Sequence, residues 1–287
     1  MIAVDLYLSE PFAQHALLAA AFVAVACGMI GPFVVTRGMA FAVHGTSELA
    51  FTGAAAGLVI AGTPIIGALI GALLVASVIG ALGIRERERD STIGVILAFG
   101  LGLGVLFLSH YHGFATAATN ILFGNIFGVS TDQLLGLLAI GLAVTVVMTF
   151  LYRPLLFASV DPEVAGARGV PVRALSIVFL LVLAFTVTEA AQIVGTLLVL
   201  SLAITPAAAA QRLSPSPLVV TVLSIVFALI AADGGLLASL ASSTVKPSVF
   251  VTSFSFAIYV LARIAGPHVR HRRGARVPQP TTGEVTP

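Results

Sequence analysis

MAFAVHGTSELAFTGAAAGLVIAG, residues 39–62, has the length and apolar character of a membrane-spanning helix, yet it carries His44 and Glu48. A span needs about 20 mostly apolar residues. Positions four apart lie one turn apart on one helical face, so this imidazole and carboxylate can close on one cation. Ionisable side chains at bilayer depth are costly and usually mark a substrate or ion path. Arg37 marks a membrane edge; at about 1.5 Å per residue, the pair lies roughly 10–17 Å beyond it. That depth is near the midplane of a hydrocarbon core about 30 Å thick. Nitrogen and oxygen ligands together suit zinc, manganese or ferrous iron. A His–Glu hydrogen bond that seals two helices together is the other reading of the same pair.

Composition agrees with the span. Of 287 residues, 59% are hydrophobic and 9% charged, and the mean hydropathy is +1.10; soluble domains carry roughly 25% charged residues. The chain is therefore expected to be an all-α polytopic membrane protein. The single cysteine, Cys27, excludes an intrachain disulfide and a cysteine-cluster metal site. Net charge is +2, but the arginines fall in short gaps between apolar runs, which argues against nucleic acid. The first eleven residues hold Asp5 and Glu10 and no positive charge, opposite to the start of a signal peptide.

Apolar runs fall near 12–34, 39–62, 64–84, 91–109, 132–152, 174–190, 192–212, 217–242 and 246–264. With the N-terminus outside, strict alternation places all thirteen arginines inside and Lys246 outside, as the positive-inside rule demands. That alternation gives nine spans, with the C-terminus inside. It requires 110–131 to stay outside as a loop holding a short re-entrant or interfacial helix, and it places a tight outer turn at Glu189–Gln192. Residues 1–266 are expected to form one transmembrane domain, and 267–287 a basic, disordered cytoplasmic tail. Gly67/Gly71 and Gly100/Gly104 allow close helix packing, but with 28 glycines in the chain such pairs say little about dimerisation.

Other ionisable groups have competing readings. Asp233, in Ala-Ala-Asp-Gly-Gly, either lines the same path or caps a helix break at the two glycines. Glu189 reads as a solvated loop acid at the outer edge. His110 and His112 read as an outer loop that could also hand on a metal. His268 and His271 sit among the tail arginines. A phosphate-binding loop needs Gly-Lys-Ser/Thr, and the only lysine lies between Val245 and Pro247. ATP chemistry would have to come from a partner.

Three stretches carry a resemblance to a known family. They are Phe33-Val-Val-Thr-Arg-Gly-Met-Ala-Phe41 with the helix that follows, Val194-Gly-Thr-Leu-Leu-Val-Leu-Ser-Leu-Ala-Ile-Thr-Pro-Ala-Ala-Ala-Ala-Gln-Arg212, and Asp161-Pro-Glu-Val-Ala-Gly-Ala-Arg-Gly-Val-Pro171. Together they resemble the permease subunit of ATP-binding-cassette importers for zinc, manganese or iron. The resemblance implies about eight spans, a homodimer in a prokaryotic cell membrane, cytoplasmic ATPase subunits and an extracytoplasmic metal-binding protein. It makes 161–171 the loop that docks on the ATPase, with Asp161, Pro162, Glu163, Ala165, Arg168 and Gly169 as its positions. It implies no permanently bound cofactor, only a transported ion held by His44 and Glu48, with Asp233 the third candidate ligand; zinc is expected first and manganese next. The family usually has Asp where His44 stands and His where Glu48 stands, so the two ligand types are exchanged here. It often also has an Asp before the last span, where this chain has Ser242-Ser243-Thr244. A proton- or sodium-coupled carrier, with His44, Glu48 and Asp233 as a relay, is the competing class.

Overall fold

Proline opens five of the helices. In the computed structural model, which describes residues 10–82, 86–113, 115–240 and 245–274, it stands first in α1 (Pro11–Thr36), α3 (Pro64–Leu82), α7 (Pro162–Ala167), α11 (Pro217–Leu240) and α12 (Pro247–Gly274). A proline at the first helical position loses no hydrogen bond and starts with the right φ. The other helices are α2 (Ala40–Ala61), α4 (Glu86–Ser109), α5 (Ala115–Phe123), α6 (Thr131–Val160), α8 (Val172–Val194), α9 (Val199–Ala203) and α10 (Thr205–Leu213). The N-terminus of α6 is fixed by a reciprocal capping box between Ser130 and Gln133. Every described element is helical, so the expected all-α class stands.

Among the described residues, six helices are long and apolar enough to cross a membrane: Pro11–Thr36, Ser91–Ser109, Thr131–Val160, Val172–Val194, Pro217–Leu240 and Pro247–Pro267. Pro64–Gly80 and Val199–Leu213 are shorter apolar helices. α1 and α8 are mostly buried and form the centre. On one side α2 packs between α3 and α4, and α3 also packs on α8; on the other α11 packs on α1 and α12. The outward faces of α3, α4, α6, α11 and α12 expose large apolar side chains such as Ile70, Phe99, Phe150, Val222 and Phe256, a surface suited to lipid.

The glycine pairs serve packing within the chain. A Cβ on Gly67 would lie 2.1 Å from the Gly53 carbonyl oxygen, and one on Gly71 2.1 Å from that of Leu49. Gly104 and Gly100 likewise meet Phe51 and Leu49. Close approach on two sides therefore holds α2, the helix that carries His44 and Glu48.

Three expectations need correction. The spans at 174–190 and 192–212 do not meet in a turn at Glu189–Gln192, because α8 runs unbroken to Val194 and ends at Gly195, whose φ is 86°. The segment after it is divided into a 3₁₀ turn, α9 and α10. The polar residues that suggested a turn are accommodated inside the helix, so Glu189 is no solvated loop acid: it is 1% exposed. Its carboxylate faces the Gly141 backbone of α6 without a hydrogen bond of normal geometry. Nor does Asp233 cap a break, since α11 continues through Gly234 and Gly235. Gly235 is there because a Cβ would strike the backbone of Val251 in α12 at 2.6 Å. The expected short helix in 110–131 is α5, followed by a 3₁₀ turn at Ile126–Gly128. Residues 241–244 and 275–287 lie outside the described residues, as does Arg85; α12 itself runs past Pro267 to Gly274.

Candidate functional site

The site is a stretch of α2 pinned on both flanks. Glu48 is buried, at 4% exposure, and His44 is half-buried one turn before it. Next to Glu48, the Ser47 hydroxyl donates to the backbone carbonyl of Thr196, just after the end of α8. One turn on, the Thr52 hydroxyl meets the Gly100 carbonyl of α4 at 2.6 Å and its own helix at the Glu48 carbonyl at 3.0 Å. The carboxylate thus rides on a helix that cannot rotate without breaking a tie on either side. A binding group needs that kind of support from a rigid element.

The imidazole of the pair is unsatisfied. Nδ1 of His44 is buried and has no hydrogen-bond partner. The imidazole is close enough to act electrostatically on the Glu48 carboxylate. The sealing His–Glu hydrogen bond through this nitrogen is therefore not formed. Buried polar groups are nearly always paired, and each exception needs an explanation. An unpartnered ligand nitrogen one turn from a buried carboxylate is equipped to receive a cation.

Asp233 stands apart. Its helix packs chiefly on α1, α10 and α12, and one of its carboxylate oxygens is also buried without a partner. Among the described residues, no three of His, Cys, Asp and Glu come together as a metal cluster. Within one chain the candidate site is the His44/Glu48 pair alone. His110 and His112 are exposed, as a loop reading requires.

Further along α2 lies a cavity of about 280 Å³ between α2, α3, α5 and α8. Ala54 and Leu58 form its α2 wall, and Asn120, Asn125, Gln192 and Thr196 line it elsewhere. Beside it the chain crosses itself at two glycines of positive φ, Gly124 and Gly195. The Asn125 N–H donates to the Gln192 carbonyl there at 3.2 Å. Ser47, Thr52 and this crossing were not singled out from sequence. The hydroxyls beside Glu48 were the available signal, since serine and threonine within a span often bond to backbone carbonyls.

The loop 161–171 holds the short helix α7. Asp161 caps α7, its carboxylate accepting from the Val164 N–H at 3.0 Å. Only Ala165 of the helix is buried, and Gly169, at φ 82°, turns the chain toward α8. Pro162, Glu163, Val164 and Arg168 are left exposed on a short, capped surface helix.

Apolar helices packed into one bundle, six of the described ones long enough to cross a membrane, define a multi-pass membrane protein. The family model of the ABC 3 transport family matches residues 9–265. The chain belongs to that family, as a membrane subunit of ATP-binding-cassette transport in a bacterial cell membrane. It is 33% identical over 276 residues, 95% of this chain and 94% of the relative, to the manganese transport system membrane protein MntC of Halalkalibacterium halodurans. It is 28% identical over 254 residues, 86% of this chain and 96% of the relative, to the high-affinity zinc uptake system membrane protein ZnuB of Haemophilus influenzae. Among solved structures it is similar to a chain of PsaBC from Streptococcus pneumoniae in complex with Fab, with a TM-score of 0.84 and 27% identity. That likeness covers 96% of this chain and 100% of the other.

Proposed function

We propose that this chain is the permease of an ATP-driven importer of a divalent transition metal, with His44 and Glu48 as the transient ion site. The observation that carries this is the buried, unpartnered Nδ1 of His44 one turn from the buried Glu48 carboxylate. Two ligands do not complete a tetrahedral site, which needs four. A second copy of the chain across a two-fold axis supplies the other imidazole and carboxylate. Asp233 has no part in the site within one chain; its place in this reading is further along the path. The N-terminus faces outside and the C-terminus inside. The six long helices, α2, α3 and a broken crossing made by α9 and α10 bring the count to nine, the odd number that termini on opposite sides require.

The partners are cytoplasmic ATPase subunits, which dock on α7, and an extracytoplasmic metal-binding protein. The exposed face of α7 beside a single buried anchor, Ala165, supports the docking role. Removing its cap by Asp161→Ala should cost about 1 kcal/mol of local helix stability. The expected outcome is a several-fold weaker hold on the ATPase in detergent pull-down, with an unchanged yield of the permease itself. Equal retention of the ATPase would remove α7 from the interface.

Manganese comes ahead of zinc in this reading, because the 33% identity to a manganese system exceeds the 28% identity to a zinc system. That reverses the order expected at the level of sequence. The test is uptake of radioactive manganese and zinc by cells lacking their own importers, with the chain expressed beside its ATPase and binding protein. ATP-dependent accumulation of one metal supports the importer. Uptake by the chain alone would overturn it in favour of a secondary carrier.

A further inference from the structure

We propose that Arg37 is the positioning residue that ties the ion-binding helix to the loop that senses the ATPase; the proposal rests on the importer reading above. Arg37 sits at the corner between α1 and α2 and is half-buried. Its Nε donates to the Ser159 hydroxyl at 2.8 Å, and one terminal nitrogen donates to the Ser176 hydroxyl at 3.4 Å. The guanidinium carbon lies 5.4 Å from the centroid of the Phe179 ring. Ser159 lies in the last turn of α6, two residues before Asp161, and Ser176 lies in the second turn of α8. One side chain therefore grips both legs of the segment that presents α7.

The other end of the link is as short. Arg37, Gly38 and Met39 turn the chain tightly, their N–H groups donating to the carbonyls of Phe33, Val35 and Val34. Gly38 has φ 62°, and α2 starts at Ala40. From there to His44 the chain is continuous helix. A displacement of α7 and its legs must pull on the guanidinium, and the guanidinium is fixed to the foot of the helix that holds His44 and Glu48. Ser159 is held in turn, because its hydroxyl donates to the Leu155 carbonyl while accepting from Arg37.

The geometry requires arginine. A planar fork can reach two hydroxyls while its face stacks on an aromatic ring, and a lysine ammonium on a flexible stem cannot. A link of this kind carries a coupling free energy, and such energies correspond to roughly 5–150-fold effects. A staple that only held the fold would show in stability and not in stoichiometry.

The experiment uses the complete complex of permease, ATPase and binding protein in lipid vesicles, with manganese as the transported probe. It reads ions moved per ATP hydrolysed for wild type, Arg37→Lys, and a Ser159→Ala/Ser176→Ala double variant that leaves Arg37 on Phe179. Both variants are expected to hydrolyse ATP within about twofold of wild type while ions moved per ATP fall about tenfold. Unchanged stoichiometry in both variants would overturn the proposal. So would transport and hydrolysis falling in equal proportion with a lower melting temperature, since that is a staple and nothing more. An inert wild-type complex would instead overturn the importer reading, and the proposal with it.

Discussion

Glu48→Ala and His44→Ala should each abolish metal accumulation in cells while the permease still assembles with its ATPase. Loss of a partner that merely orients a metal ligand typically costs 10–100-fold in affinity or activity. Loss of a ligand itself should therefore cost at least about a hundredfold in uptake. Assembly should survive because the helix is held elsewhere, by Ser47 on the Thr196 carbonyl and by Thr52 on the Gly100 carbonyl. Neither tie uses the side chain of His44 or Glu48. Glu48→Gln keeps the shape and removes the charge, so it separates ion binding from packing; it too should be inactive. The exchanged pair His44→Asp/Glu48→His restores the usual family order on the same face and should retain uptake. Uptake that survived both alanine substitutions would make the pair structural and move the path elsewhere, with Asp233 the next residue to test.

The candidate pair stood out in the sequence because its signal is local. A four-residue spacing inside one apolar run needs no knowledge of tertiary structure to place two side chains on one face. The segment of α7 was singled out only through the family resemblance, although the structure shows a local cause for it in the Asp161 cap on the Val164 N–H. Glu189 shows where local reading fails. An acid and an amide three residues apart near the end of an apolar run look like a turn, and only the packing of α8 against α1 and α6 shows that the helix continues through them. The helix-break reading of Asp233-Gly234-Gly235 failed similarly. The glycines there answer the approach of α12, a non-local fact, and not a weakness of α11 itself. The support of the site was least legible, because Ser47 and Thr196 lie 149 residues apart in the chain.

Gly195→Ala should prevent the chain from folding, with a cost of about 4 kcal/mol or more. Two effects add. At φ 86° and ψ 156°, Gly195 occupies a region essentially reserved for glycine, and a non-glycine residue there costs of order 1–3 kcal/mol. The added Cβ would also lie 2.2 Å from the Leu122 carbonyl oxygen, 2.4 Å from the Phe123 Cα and 2.5 Å from the Gly124 nitrogen. All three are backbone atoms on the turn after α5, so no side chain can swing away to make room. Gly124 returns the constraint, since its own Cβ would meet the Ile193 carbonyl oxygen at 2.2 Å. The control is Gly102→Ala on the exposed face of α4, where an added Cβ meets nothing within 4 Å. That change suits a helix and should stabilise slightly, by about 0.4–1 kcal/mol. Folded yield and melting temperature in detergent compare the two. A Gly195→Ala protein with wild-type melting temperature would mean that the crossing opens readily. The Thr196 carbonyl could then not serve as a fixed anchor for Ser47, and Glu48 would have to be held by α4 alone.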